Sequence, residues 1–114
     1  MRYEVLLLEP ALAFLATVPV KLRAKAYRTM ELLAAFGLAL TEPHSKAIRG
    51  GEGLRELRIR QGSDICRLFY FHHRGVVYVV ASGFLKKTPK TDRRELARAL
   101  TIMRTYREEH NHGS

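Results

Sequence analysis

Three strand-like segments separated by short turns constrain the fold of this chain more than any other feature. Leu54 to Arg60 alternates apolar and charged side chains, Ile65 to His72 is rich in aliphatic and aromatic residues, and Val76 to Leu85 is apolar almost throughout. Because the turns between them are short, the pattern predicts an antiparallel three-stranded meander. A strand as apolar as the last one is expected to be covered on both faces of the sheet.

The residues before the meander predict one strand and two helices. We predict a strand over residues 2–8, a short helix over Pro10 to Ala16, and a longer helix over Pro19 to Phe36, where proline suits the first turn. Gly37 is the expected C-terminal cap of the longer helix. Residues 38–53 are rich in proline and glycine, and we predict a loop there.

A last helix is predicted from Asp92 to Glu108. Asp92 and Glu95 have the spacing of a capping box at its start, and a frayed tail is expected over residues 109–114. The predicted order is therefore β-α-α-β-β-β-α. With 114 residues, no repeat and no linker, the chain is expected to form a single domain over residues 1–114.

The chain is strongly basic. Twenty Lys and Arg residues against eleven Asp and Glu give a formal net charge of +9. This surplus favours a polyanionic partner, either nucleic acid, an anionic membrane surface or an acidic protein, and the alternative is a basic surface kept for solubility. Glu4, Glu9 and Pro10 interrupt the apolar N-terminus, and no segment has the roughly 20 apolar residues of a membrane-spanning helix. A cytoplasmic protein without a membrane partner is expected.

Positive charge converges on one region of the predicted sheet. Side chains alternate across a strand, so Glu56, Arg58 and Arg60 share a face. Arg67 lies within the apolar run ICRLFYF, where an arginine is costly unless it is paired or reaches a cleft. Either Arg67 and Glu56 form only an internal ion pair, or a set of cations converges on one bound anion: Arg58, Arg67, Lys86 and Lys87. Cations beside aromatic rings are typical of sites for single-stranded nucleic acid.

Other chemistry has weaker support in the sequence. Cys66 is the one cysteine, which excludes an internal disulfide, and its place in an apolar strand predicts a small core residue. The five histidines lack a convincing metal-ligand spacing, and adjacent His72 and His73 are expected to face opposite ways on a strand. The chain has no dinucleotide-binding, P-loop or nucleophile-elbow motif.

Three stretches, PHSKAIRGGEGLRELRI, CRLFYF and SGFLKKTPKT, resemble in this order the HigB-like, phage-derived branch of the RelE toxin superfamily. The resemblance covers roughly Tyr3 to Tyr106. It implies an α+β fold with a four-stranded, mostly antiparallel sheet, two helices after the first strand and a C-terminal helix. It further implies the toxin of a type II toxin–antitoxin pair. Such a toxin is a metal-independent endoribonuclease without a cofactor that cuts mRNA on the ribosome and is silenced by a helix-turn-helix antitoxin.

The resemblance also assigns candidate site residues. The family's ELR motif matches Glu56 to Arg58, and the arginine of its YRI motif matches Arg67. RNA supplies its 2′-hydroxyl as nucleophile, so Arg58 and Arg67 are expected to stabilise the transition-state phosphate, with Lys86 at the substrate backbone and leaving oxygen. Glu56 is the candidate general base, or it only orients an arginine. Four further cations are predicted to bind RNA: Lys87, Lys90, Arg60 and Arg55.

Two departures from the family pattern bear on this assignment. The usual RGGLWELR is lengthened here by Glu52 and Gly53, and Arg55 replaces its aromatic residue. Some relatives have a tyrosine, proposed as general base, near the start of the last helix, where this chain reads TDRREL. Tyr106 comes later and cannot be equated with it, so the general base stays open.

Three rival interpretations remain. A protein of this fold could be a gyrase-directed toxin, a plain RNA-binding module, or a degenerate copy, since fold alone does not determine function. The combination of Arg58, Arg67 and Lys86 favours the ribonuclease.

Overall fold

A computed structural model of the chain describes residues 2–75, 77–88 and 92–110. Its strands are β1 (Glu4–Leu7), β2 (Ser45–Ala47), β3 (Arg55–Gln61), β4 (Asp64–Arg74) and β5 (Val77–Leu85). Its helices are α1 (Glu9–Thr17), α2 (Val20–Phe36) and α3 (Arg93–His110), with a 3₁₀ turn over Gly37–Ala39.

The strands form one mixed sheet in the order β1-β5-β4-β3-β2. β3, β4 and β5 pair antiparallel as the predicted meander, β2 pairs antiparallel with β3, and β1 runs parallel to β5. The predicted α+β class is confirmed, with five strands in place of four. The additional strand is β2, inside the predicted loop 38–53. It has three residues and pairs with Arg55 to Leu57 at the sheet edge. The proline and glycine residues around this short strand are typical of a loop, so the sequence pattern does not reveal it.

Helices cover both faces of the sheet. On one face α1 and α2 pack on a core that includes Leu57, Leu68 and Val80. On the other face α3 packs through Ala99 and Met103 against a second core, which includes Phe69, Phe71 and Val79. The predicted burial of β5 on both faces is confirmed, because its residues contribute to both cores.

The helix ends follow the predicted signals closely. Pro19 is the N-cap of α2 and precedes its first turn, while Gly37 caps its C-terminus with φ 56° and donates its backbone N–H to the Leu33 carbonyl. At the start of α3, Asp92 Oδ1 accepts the Glu95 backbone N–H at 3.1 Å, which is the N-cap half of the predicted capping box. α3 continues to His110, two residues beyond the predicted end, and residues 111–114 of the predicted tail lie outside the described residues.

A register shift in β5 decides which side chains reach the α3 face. Phe69 is opposite Ser82 and Tyr70 is opposite Val80, so Ala81 is an extra residue in β5. Strict alternation from Val80 would put Phe84 on the α1–α2 face. The extra residue reverses the alternation, and Phe84 instead lies opposite Arg67 and packs against the α3-side core.

The described helices include none that is long and apolar enough to cross a membrane.

Candidate active site

One carboxylate lies between two guanidinium groups on the α3 face of the sheet. Arg58 of β3 and Arg67 of β4 are directly opposite each other in the register, and Glu56 precedes Arg58 by two residues on the same face. Glu56 Oε1 is 3.6 Å from Arg58 Nε and 3.7 Å from Arg67 Nε. The structure therefore brings together three of the four predicted catalytic residues.

Arg67 is buried without a full set of hydrogen bonds. It is 7% exposed, and its Nε has no hydrogen-bond partner among the described residues, because 3.7 Å to Glu56 is beyond hydrogen-bond range. Burial lowers the pKa of the Arg67 guanidinium, while the charge of Glu56 raises it and that of Arg58 lowers it. A buried cation with an unsatisfied N–H is costly. The burial of Arg67 therefore favours a site in which a bound anion accepts this N–H.

The loop before β2 is tied to Arg58. Arg58 Nη1 donates to Glu42 Oε1 at 3.2 Å, and the Arg58 backbone N–H donates to the His44 carbonyl at 2.9 Å. Glu42 and His44 are site neighbours that the sequence analysis missed. Nothing local in the sequence reveals them, since the contacts join positions 14 to 16 residues apart across a loop.

A cavity of about 770 Å³ is lined from both faces of the sheet, by Arg58, Arg60 and Arg67 of the α3 face and by residues of α2, which covers the opposite face. It opens where the middle of α2 approaches the end of the β3–β4 hairpin. The described lining includes five cations, Lys25, Arg28, Arg58, Arg60 and Arg67, and one acid, Glu31. The cavity is thus strongly positive. Lys25 and Arg28 of α2 are contributions that the sequence analysis did not assign to the site.

The lysines after β5 stand next to the cluster. The Lys86 backbone N–H donates to the Ile65 carbonyl at 2.8 Å, which extends the β4–β5 pairing past Leu85. Phe84 anchors this exit by stacking on Phe69, with ring centroids 5.5 Å apart and planes at 25°. By alternation from Phe84, Lys86 belongs to the face of Arg67.

The predicted RNA-binding residues are distributed around the cluster. Arg60 is exposed and lines the cavity, and Lys87 is exposed beside a small cavity of about 130 Å³ that Lys86 and Asp92 also line. Arg55 is on the opposite face of β3, where its Nε donates to Tyr70 Oη at 3.2 Å. The structure therefore does not bring Arg55 to the cluster. Lys90 lies outside the described residues.

Tyr106 is at the other end of the sheet. It stacks on His110 at 3.9 Å between ring centroids and meets His73 and Phe71 edge-on. His73 is six residues along β4 from Arg67, a span of roughly 20 Å on an extended strand. Tyr106 thus does not take the position of the tyrosine that some relatives have at the start of the last helix. Glu56 is the carboxylate seated between the two arginines.

In the described parts of the chain, no group of three or more His, Cys, Asp or Glu side chains is arranged to hold a metal ion.

The fold and the site together define an α+β domain in which a buried arginine, Arg67, is paired in register with the partly exposed Arg58 toward one end of a mixed sheet. This fold is similar to that of the E. coli toxin RelE, in the free state of a double arginine-to-alanine mutant. The match has a TM-score of 0.64, covers 90% of this chain and 98% of that chain, and has 19% sequence identity. No protein of curated function matches in sequence.

A family profile described as phage-derived protein Gp49-like (DUF891) matches residues 13–104. The chain therefore belongs to the Gp49-like family. Together with the fold, this membership confirms the predicted resemblance to RelE-like toxins.

Proposed function

We propose that this protein is the toxin of a type II toxin–antitoxin system and an endoribonuclease that cuts mRNA on the ribosome. The observation that carries the proposal is Arg67, a buried guanidinium whose Nε has no hydrogen-bond partner among the described residues and which lines a basic cavity beside Glu56 and Arg58. A phosphodiester supplies the anionic oxygens that such a pair of arginines binds well. Family membership and the RelE-like fold support the same function.

The proposed reaction uses the 2′-hydroxyl of RNA as nucleophile. Its oxygen forms a bond to the adjacent phosphorus while the bond from phosphorus to the 5′-oxygen breaks. The products are a 2′,3′-cyclic phosphate and a 5′-hydroxyl end. Arg58 and Arg67 bind the non-bridging oxygens as negative charge accumulates in the transition state, and preorganised cations of this kind are often the largest catalytic contribution. Lys86 donates a proton or a hydrogen bond to the departing 5′-oxygen.

Glu56 is the proposed acceptor of the 2′-hydroxyl proton. Its carboxylate is ion-paired with both arginines through one oxygen, Oε1. Its side chain is 15% exposed, so it is held in a partly dry setting beside the phosphate site. The same position would let Glu56 orient the two arginines. The pH dependence of the cleavage rate, compared between the natural chain and Glu56→Gln, separates these two roles.

The flanking cations would hold the RNA strand. Lys87 and Arg60 are exposed on either side of the cluster and would contact backbone phosphates, and we extend the same role to Lys90. Arg55 is on the other face of the sheet and is left out of this role. This binding is expected to be salt-dependent, because each phosphate contact releases counterions. The protein would act in the cytoplasm, where the ribosome presents the mRNA.

The proposed partner is a helix-turn-helix antitoxin encoded next to this gene. A chain with a net charge of +9 leaves a large positive surface for an acidic or wrapping partner to neutralise. Purification from the native operon tests this proposal. A companion protein of that type is expected to co-purify, and recovery of the toxin alone would contradict it.

Brief expression in cells, followed by primer extension on cellular mRNA, tests the nuclease proposal. Growth arrest with new, discrete mRNA ends is expected for the natural chain. Arg67→Ala is expected to abolish both while remaining folded by circular dichroism. Equal arrest and equal cleavage by soluble Arg67→Ala would remove the phosphate site from the proposal.

A further inference from the structure

The large cavity has a second wall that the cleavage chemistry does not use. Arg58 and Arg67 line it on the sheet side, whereas Lys25 and Arg28 line it on the α2 side. Residues three apart on a helix are neighbours on its surface, so these two cations form one positive patch facing the cavity. A single scissile phosphate needs only the sheet-side cations. The α2 patch is therefore available to a second anionic group.

The charge of this patch is not cancelled within the lining. Glu31 is the one acid among the described residues that line the cavity, and its Oε2 is already bound by Arg2 Nη2 at 2.6 Å. Lys25 is exposed and has a flexible stem, so its ammonium group can move to meet a ligand. The patch is electrostatically suited to a phosphate.

The rest of the lining is suited to a flat, apolar group. Leu32 and Ile65 contribute hydrocarbon surface, and His44 contributes an imidazole ring. His44 is held in place through its backbone, since its carbonyl accepts the Arg58 N–H. Proteins bind unpaired RNA bases by stacking them on rings of this kind and on apolar side chains. A volume of about 770 Å³ is within the range of roughly 300–1,000 Å³ typical of small-molecule sites.

We propose that this cavity binds one nucleotide of the RNA substrate next to the scissile phosphate. Its base lies against Ile65 and His44, and its own phosphate is bound by Lys25 and Arg28. Arg67 connects the two positions, because it lines this cavity and also belongs to the cluster with Glu56. The inference rests on the proposed nuclease function and adds to it a binding subsite on α2, which would contribute to the choice of cleavage site.

Titration of the purified chain with adenosine 5′-monophosphate and, separately, with inorganic phosphate tests the subsite without any cleavage. Amide chemical shifts in NMR report the binding. Saturable binding of the nucleotide is expected, with shifts at His44 and Ile65, and the nucleotide should bind more tightly than inorganic phosphate. Lys25→Ala and Arg28→Ala are each expected to weaken nucleotide binding about fivefold, as for a solvent-accessible ion pair.

Lys21→Ala is the matched control. It removes the same side chain from the same helix one turn away, and Lys21 is not among the described residues that line the cavity. It should leave nucleotide binding unchanged. Equal binding by all three variants and the natural chain would overturn the subsite. Inorganic phosphate binding as tightly as the nucleotide would also overturn it, because the base would then contribute nothing.

The outcomes separate the subsite from the nuclease function. Cleavage of mRNA by a chain that does not bind the nucleotide in this cavity would reject the subsite and keep the nuclease. Nucleotide binding that depends on Lys25 and Arg28, in a chain that does not cleave, would reject the nuclease and keep the subsite as an RNA contact.

Discussion

At the scale of single residues, Arg67 is a buried cation whose Nε lacks a hydrogen-bond partner among the described residues. A guanidinium inside an apolar strand loses solvation, and its one nearby carboxylate is 3.7 Å away. The Glu56 carboxylate is ion-paired with Arg58 as well as with Arg67. An ion pair kept for stability would be expected to have closer, hydrogen-bonded geometry. The local geometry is better explained by a site that binds an anion.

Arg67→Met separates the two interpretations of this residue. Methionine retains much of the apolar stem and removes the charge, while Glu56 keeps Arg58 as its partner. We expect the free energy of unfolding to change by less than about 1 kcal/mol, because no carboxylate is left unpaired. Cleavage should fall at least ~10²-fold with the loss of a transition-state contact. Chemical denaturation and a cleavage assay measure the two effects, and a loss of several kcal/mol would identify a structural ion pair.

Glu56→Gln tests the identity of the general base. If Glu56 accepts the 2′-hydroxyl proton, the rate should fall by about 10²- to 10⁴-fold. The pH–rate profile should also lose its acidic limb, because glutamine does not titrate. A mutant that is slower but keeps the acidic limb would show that Glu56 orients the arginines and that another group accepts the proton.

Cys66 is a second residue whose chemistry is set by burial. It is fully buried, as the sequence predicts, and burial raises the pKa of its thiol from 9.0 to about 12. The folded state therefore favours the neutral thiol. Its contribution to stability is fully present below pH 9.0 and is lost as the pH rises toward about 12.

The expected result is slow alkylation of Cys66 by iodoacetamide at pH 8 in the folded chain and rapid alkylation after denaturant is added, measured by mass spectrometry. Rapid modification of the folded chain would contradict the burial.

At the scale of elements, the C-terminal end of β5 determines the positions of Lys86 and Lys87. The extra residue Ala81 turns Phe84 to the α3 face, and Phe84 stacks on Phe69. Lys86 and Lys87 then leave the sheet beside Arg67, with one backbone hydrogen bond to Ile65 holding the exit. A short irregularity in one strand thus places positive charge beside the arginine pair.

The double change Lys86→Ala with Lys87→Ala should reduce RNA binding without destabilising the fold. Each phosphate contact on a single strand contributes about 0.7 to the slope of log affinity against log salt, so two lost contacts should flatten it by roughly 1.4. The melting temperature should hardly change, because solvent-accessible cations add little to stability. Lys86→Arg with Lys87→Arg is the control and should keep the slope. An unchanged slope with a large drop in melting temperature would make the lysines structural.

Local patterns predicted most elements but not their long-range pairing. The meander, both caps and the shared face of Glu56, Arg58 and Arg60 follow from alternation and capping signals, which depend on neighbours in sequence. β2 escaped prediction because three residues at a sheet edge leave no periodicity. The parallel pairing of β1 with β5, and the approach of α2 to the β3–β4 hairpin, depend on packing between distant segments. For that reason the cavity and its cations Lys25 and Arg28 could not be found in the sequence.

At the scale of the whole molecule, the sheet separates two hydrophobic cores, and the candidate site lies toward one end of the sheet. α1 and α2 pack on one face and α3 on the other, so the sheet that carries the arginine pair is packed on both faces. The aromatic group of Tyr106, His73 and His110 occupies the opposite end of β4, so Tyr106 is distant from the site. A net charge of +9 would draw RNA to the surface before the cluster selects a phosphate.

The most direct test is cleavage of a defined mRNA by the purified chain, with and without programmed ribosomes. We expect discrete cuts only on the ribosome, products ending in 2′,3′-cyclic phosphate and 5′-hydroxyl, and loss of all cuts with folded Arg67→Met. No cleavage by the natural chain under these conditions, or cleavage that survives Arg67→Met undiminished, would contradict it.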